Sequence, residues 1–203
     1  MSPSISDSNA ESPAFAAQRR RGRLIALALL AVSAAPVIAA VVAFFFWMPS
    51  SRTNYGELIA PRKLPEVALE HLDGRPFRLA ELKGKWLLVA AAGGKCDAGC
   101  VKRLFLTRQV RLMQGREMDR IERLWLVTDA ERTPSDLIAS HDGLHVVRAT
   151  PEQLGAILQS ADAGEHIWLI DPLGNLMLRF PVNPDPKGMR NDISRLLKAS
   201  RSG

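Results

Sequence analysis

The chain has 203 residues, of which 47% are hydrophobic and 24% charged, with a formal net charge of +6 and two cysteines. That length fits one ordinary domain plus appendages. The basic excess points to no nucleic-acid partner, because four of the arginines stand together in "RRRGR", Arg19–Arg23. The remaining basic residues are scattered and lack interleaved aromatic stacking partners.

Residues 1–22 read as a Ser-, Ala- and Pro-rich cytoplasmic tail without fixed structure. Residues 23–48 follow as a single transmembrane helix: "LIALALLAVSAAPVIAAVVAFFFWM" carries no charge and is long enough to cross a bilayer. A cleaved signal peptide is the rival reading, but the apolar run continues well beyond the small residues of "AVSAA". Arginines immediately before the span place the N-terminus in the cytoplasm and everything after Ser50 outside it. The expected location is therefore the bacterial inner membrane, single-pass, with a periplasmic domain. Residues 49–63, "PSSRTNYGELIAPRK", read as a polar linker to a domain at 64–203.

Within that domain, "EVALEHL" and "RPFRLAEL" flank Asp73-Gly74 as a hairpin. "KWLLVAAA" is a short apolar run and reads as a buried strand. From Cys100 to Met113, Val101, Leu104, Phe105 and Leu112 fall at helical spacing, with Arg103, Arg108 and Arg111 left for solvent. "IERLWLVTD" is the next strand. "TPSDLIAS" opens a helix with Thr133 as its cap and Pro134 in its first turn. "LHVVRA" is a strand and "TPEQLGAIL" a second cap-then-proline helix. "HIWLID" and "NLMLRF" form two strands around "PLG", and "DPKGMRNDISRLLKA" is a closing amphipathic helix. This alternation predicts an α/β domain around a central mixed sheet.

Both cysteines lie in "AAAGGKCDAGC", at the junction between a central strand and the following helix. In open α/β sheets this carboxyl-end loop is where chemistry concentrates. Cys96 and Cys100 are four residues apart, so both sulfurs can approach one point above the helix N-terminus, whose partial positive charge favours thiolate. Lys95 adds a cation, and Gly93 and Gly94 give the loop room to fold back. A static staple, a redox pair and a soft-metal clamp all remain open. Thiolates suit Cu(I), and two sulfurs leave such an ion wanting a third donor. His166, at the start of "HIWLID", is the candidate. His71, His141 and His145 read as surface or locally bonded residues, and Met113 and Met118 as helix packing or surface.

The cysteine pair after the buried strand, "DAERTP", and the strand pair around "IDPLGN" resemble the Sco/SenC family of thioredoxin-like proteins over residues 65–198. The match is that of a divergent member, since Asp97 and Val101 stand where the family commonly has prolines. The resemblance implies a thioredoxin-like fold behind a membrane anchor, with Cys96, Cys100 and His166 holding copper. It also implies a role in assembling the copper site of a cytochrome c oxidase subunit. The alternatives are a thiol–disulfide oxidoreductase acting on another periplasmic protein through Cys96 and Cys100, and a tethered interaction domain without catalysis. Other enzyme classes find no footing: GxSxG, HExxH and a glycine-rich loop ending in GK[ST] are all missing.

Overall fold

A computed structural model describes residues 13–46 and 54–200. It divides into two compact units, Met1–Arg52 and Thr53–Gly203. In the first unit, helix α1 runs Pro13–Phe46 and contains Pro36. Its segment Arg21–Ala43 has a mean hydropathy of 2.6, long and apolar enough to cross a membrane. Helix therefore begins within the predicted unstructured tail; residues 1–12 of that tail, the start of the linker at 49–53 and the end of the span at 47–48 lie outside the described residues.

In the second unit, eight strands among the described residues form one mixed sheet. They are β1 (Glu57–Lys63), β2 (Ala68–His71), β3 (Pro76–Arg78), β4 (Trp86–Ala92), β5 (Ile121–Val127), β6 (Leu144–Arg148), β7 (Ile167–Ile170) and β8 (Asn175–Arg179), laid side by side as β1-β8-β7-β4-β5-β6-β2-β3. The central pairs β4–β5 and β5–β6 are parallel, and the outer pairs, including β4–β7 and β7–β8, are antiparallel. Among the described residues, four α-helices flank the sheet: α2 (Ala98–Leu112), α3 (Ser135–Ala139), α4 (Pro151–Leu158) and α5 (Pro186–Ala199). The expected α/β order is present, with one strand more than predicted. Residues 57–63, read as linker, form β1 against β8. Their apolar content is too low to announce a buried strand. What holds the entry to β1 is remote in sequence: the buried Asp192 carboxylate of α5 accepts the amides of Tyr55 and Gly56 at 3.0 and 2.7 Å.

Strand alternation assigns side chains to the two faces. Leu87, Val89, Ala91, Leu124, Leu126, Trp168 and Ile170 pack with Ile157 and Leu158 of α4. On the other face Leu88, Ile167 and Leu169 pack with Leu106 and Val110 of α2 and Met189 and Ile193 of α5. Ala90, Trp125 and Val127 continue that second face toward Cys96, Cys100 and Leu104.

Local signals set most helix ends. Thr150 accepts the Gln153 amide at 3.3 Å while the Gln153 side chain accepts the Thr150 amide at 2.8 Å, closing the predicted cap of α4. Asp185 caps α5 through the Gly188 amide at 2.9 Å. The predicted cap of α3 does not form. The helix starts one residue later, after Pro134, and Thr133 Oγ1 is buried without a hydrogen-bond partner.

Candidate functional site

β4 ends at Ala92, and the chain turns through Gly93–Asp97 into α2. Cys96 and Cys100 are joined in a disulfide across this turn, with their Cα atoms 5.1 Å apart. Asp97 is the N-cap of α2, its carboxylate accepting the Cys100 amide at 2.8 Å. Cys96 has φ +51°, in the left-handed region that non-glycine residues seldom occupy. Such backbone strain persists only where its surroundings impose it.

Cys96 is held by its disulfide and by its amide donating to the Gly93 carbonyl at 3.0 Å, and the loop after β5 packs against the residues just before it. Asp129 accepts the Gly94 amide at 2.7 Å and the Glu131 amide at 3.1 Å with the same carboxylate oxygen. The two loops meet so closely that a Cβ on Gly94 would stand 2.2 Å from the Glu131 carbonyl oxygen. Glycine is needed here for close approach, not for an unusual dihedral angle. Lys95 pairs with Glu131 at 3.3 Å, both largely exposed. The cation expected beside the cysteines is thus shared with a carboxylate.

The two cysteines are unequally buried. Cys100 is 1% exposed and Cys96 8%, both packed against Ala90, Leu104, Trp125 and Val146. Neither lies open to solvent, and Cys96 keeps the greater exposure of the two. Arg103, one turn into α2, lies near Asp97 and Glu165. Burial pushes its guanidinium below the usual arginine range, against the opposing pull of these carboxylates.

His166 is placed differently from the sequence expectation. Its loop does lie beside β4, since Ile167 pairs with Ala90. However, His166 is extended and continues the alternation of β7, so its ring shares the face of Trp168, 5.8 Å away between centroids. That face is covered by α4, whereas the disulfide is packed on the face covered by α2. The ring nitrogens are also engaged: Nδ1 meets the Phe180 carbonyl at 2.7 Å and Nε2 the Asp162 carboxylate at 3.0 Å. Both ring nitrogens thus face hydrogen-bond partners on the side of the sheet away from the sulfurs. Among the described residues, no group of three or more His, Cys, Asp or Glu side chains is disposed to hold a metal ion. The set Cys96, Cys100 and His166 does not fit copper as a three-donor site in this arrangement.

The other predicted bystanders remain apart from the cysteines. His71 stacks edge-on to Phe77 at 5.1 Å between centroids, and His145 pairs with Glu122 at 3.3 Å. His141 is buried near Arg123. A cleft of about 420 Å³ lined by Leu64, Val67, Leu79, Leu82 and Leu87 opens at the other end of β4 and holds none of the predicted site residues. Sequence reasoning missed Asp97, although an Asp before a helix is an ordinary cap signal. It also missed Asp129, whose contact spans 35 positions and leaves no local trace.

The fold has many solved counterparts. ScoI of Bradyrhizobium japonicum, with copper bound, is 20% identical at a TM-score of 0.53, covering 66% of this chain and 99% of that one. Yeast Sco1 with copper bound is 18% identical at a TM-score of 0.59, covering 70% and 96%. The thioredoxin domain of a thiol–disulfide oxidoreductase from Bacteroides vulgatus is 18% identical at a TM-score of 0.51, covering 68% and 99%. At these identities the likeness establishes the fold, and the predicted resemblance to Sco/SenC proteins holds at that level. No curated protein matches the sequence. The family model "Transmembrane-like, thioredoxin-like, C-terminal domain" matches residues 86–200, more than half of the chain and the whole course from β4 to α5. The chain therefore belongs to this family of thioredoxin-like domains.

Proposed function

We propose that the Thr53–Gly203 unit is a thiol–disulfide exchange domain, held at the outer face of a membrane by α1, which reduces a disulfide in a partner protein. The observation that carries this reading is the unequal Cys96–Cys100 disulfide at a strand-to-helix turn: Cys96, in a left-handed backbone conformation, keeps 8% of its surface exposed, and Cys100, in the first turn of α2, keeps 1%. In the dithiol form, the Cys96 thiolate attacks one sulfur of the partner's disulfide. A mixed disulfide forms, and the other partner sulfur leaves as a thiolate and takes up a proton. Cys100 loses its proton and attacks Cys96, releasing the second partner thiol and closing the Cys96–Cys100 disulfide. A membrane dithiol donor then returns the pair to its reduced form.

The rival reading is carriage of copper to an oxidase subunit, which Sco/SenC resemblance implies and the copper-bound Sco structures encourage. The placement of His166 favours the exchange reading over it.

The two separate experimentally in the full chain. With Cys100→Ser, exchange predicts a partner trapped through Cys96, and Cys96→Ser abolishes the adduct. Titration of the reduced protein with Cu(I) should show retention that does not depend on His166. Copper held at micromolar concentration and lost on His166→Ala, with no trapped partner, would overturn the exchange reading.

A further inference from the structure

The outer face of α2 does not follow its sequence pattern. Val101, Phe105 and Leu112, expected to be core, are 42%, 50% and 46% exposed. Together with Arg108 they follow the spacing i, i+4, i+7, i+11, which places them in one stripe along the helix. The stripe starts one residue past Cys100 and, at 1.5 Å per residue, extends about 16 Å, the reach of about five extended residues. Past the Asp97 cap, its charge is predominantly positive. The helix carries Lys102, Arg103, Arg108 and Arg111 and no carboxylate. Among the described residues, Lys102 hydrogen-bonds the neutral side-chain oxygen of Asn183 at 3.2 Å and has no ion pair. Arg108 has no ion pair among the described residues.

We propose that this stripe, Val101–Phe105–Arg108–Leu112 with Lys102 beside it, is the docking surface for the partner polypeptide. Its occupant is an extended segment, adjoining the partner's reactive cysteine, that presents apolar side chains together with carboxylates. Phe105 and Val101 lose water against the apolar residues, and Lys102 and Arg108 select and steer the acidic ones. The inference rests on the exchange reading and supplies its substrate class. A neutral or basic segment would leave two cations facing nothing or facing like charge.

The test uses the full chain with Cys100→Ser, in detergent micelles and in nanodiscs of anionic lipid. Probes are 4,4′-dithiodipyridine and two peptides whose cysteine is activated as the thiopyridyl disulfide. One peptide follows the cysteine with leucines and glutamates; the other has lysine for every glutamate. In each reaction the Cys96 thiolate forms a bond to one disulfide sulfur and expels the same coloured thiopyridone. At low salt the acidic peptide should react about tenfold faster than the basic one, with the difference shrinking as ionic strength rises. Phe105→Ser should lower both peptide rates relative to dithiodipyridine, and Lys102→Glu with Arg108→Glu should invert the peptide preference. Equal peptide rates with a reactive Cys96 would overturn the docking surface while leaving the exchange reading intact. A preference seen in micelles and lost in anionic nanodiscs would assign the face to the membrane and overturn the proposal. Failure of dithiodipyridine itself to react would remove the exchange reading and this inference with it.

Discussion

Asp97 holds two opposing roles at one position. Its carboxylate caps α2 through the Cys100 amide at 2.8 Å, and it directly follows Cys96 in the chain, where a carboxylate disfavours a neighbouring thiolate. Asparagine caps helices about as well as aspartate, so Asp97→Asn separates the roles. Removing the carboxylate should speed Cys96 alkylation, with little change in helix stability. The alkylation rate of the reduced full chain at fixed pH measures this, and an unchanged rate would show that Asp97 serves α2 alone. The cap is readable from the sequence. The apposition of Gly94 to the Glu131 carbonyl and the Asp129 staple are not, because they depend on how two loops meet at the ends of neighbouring parallel strands.

At the scale of elements, α2 and β1 show where local patterns are outweighed. The apolar residues of α2 permit more than one inward face, since Val101, Phe105 and Leu112 are as apolar as Leu104, Leu106 and Val110. The face selected is the one that brings Cys100, 1% exposed, down onto Ala90 and Trp125. With Cys100 turned inward, Leu104, Thr107 and Val110 follow it, and Val101 and Phe105 are carried outward. Strand β1 depends similarly on a distant group. Asp192→Ala removes the acceptor of two amides, those of Tyr55 and Gly56. Leaving a buried donor unpaired costs about 1–3 kcal/mol. Hydrogen exchange should show β1 opening more readily than β4 and β5, together with a lower denaturation midpoint. Uniform protection across the sheet would mean that pairing with β8 alone holds the strand.

For the whole molecule, stability should decline with mild acidification. Burial, then the positive charges of Arg123 and Arg108, push His141 below its ordinary 6.5. The folded protein thus binds this proton less readily than the unfolded chain, so stability is fully present above about pH 6.5 and falls as pH drops toward the lower folded-state value. Denaturant titrations of the full chain between pH 7 and pH 5 should show this slope, and His141→Gln should flatten it. Asp162 acts in a separate window. The Ser160 hydroxyl first, and His166 second, hold its carboxyl at about 2 instead of 3.8. Its contribution is present above 3.8 and lost only as pH falls toward about 2, well below the histidine window.

The sequence by itself determined the apolar span, the alternation of strands and helices, the cap Thr150, and the cysteine pair at a strand-to-helix junction. These features are written in hydrophobic periods and short-range hydrogen bonds, which involve residues near one another along the chain. Only the tertiary structure decided that β1 is a strand, that α2 turns Phe105 outward, that Cys96 is nearly covered, and that His166 points away from the sulfurs. Each of these depends on which face of the sheet a side chain meets or which distant group it contacts. A one-residue alternation along β7 sends His166 to the α4 side, and no local pattern around the histidine records what waits on either face.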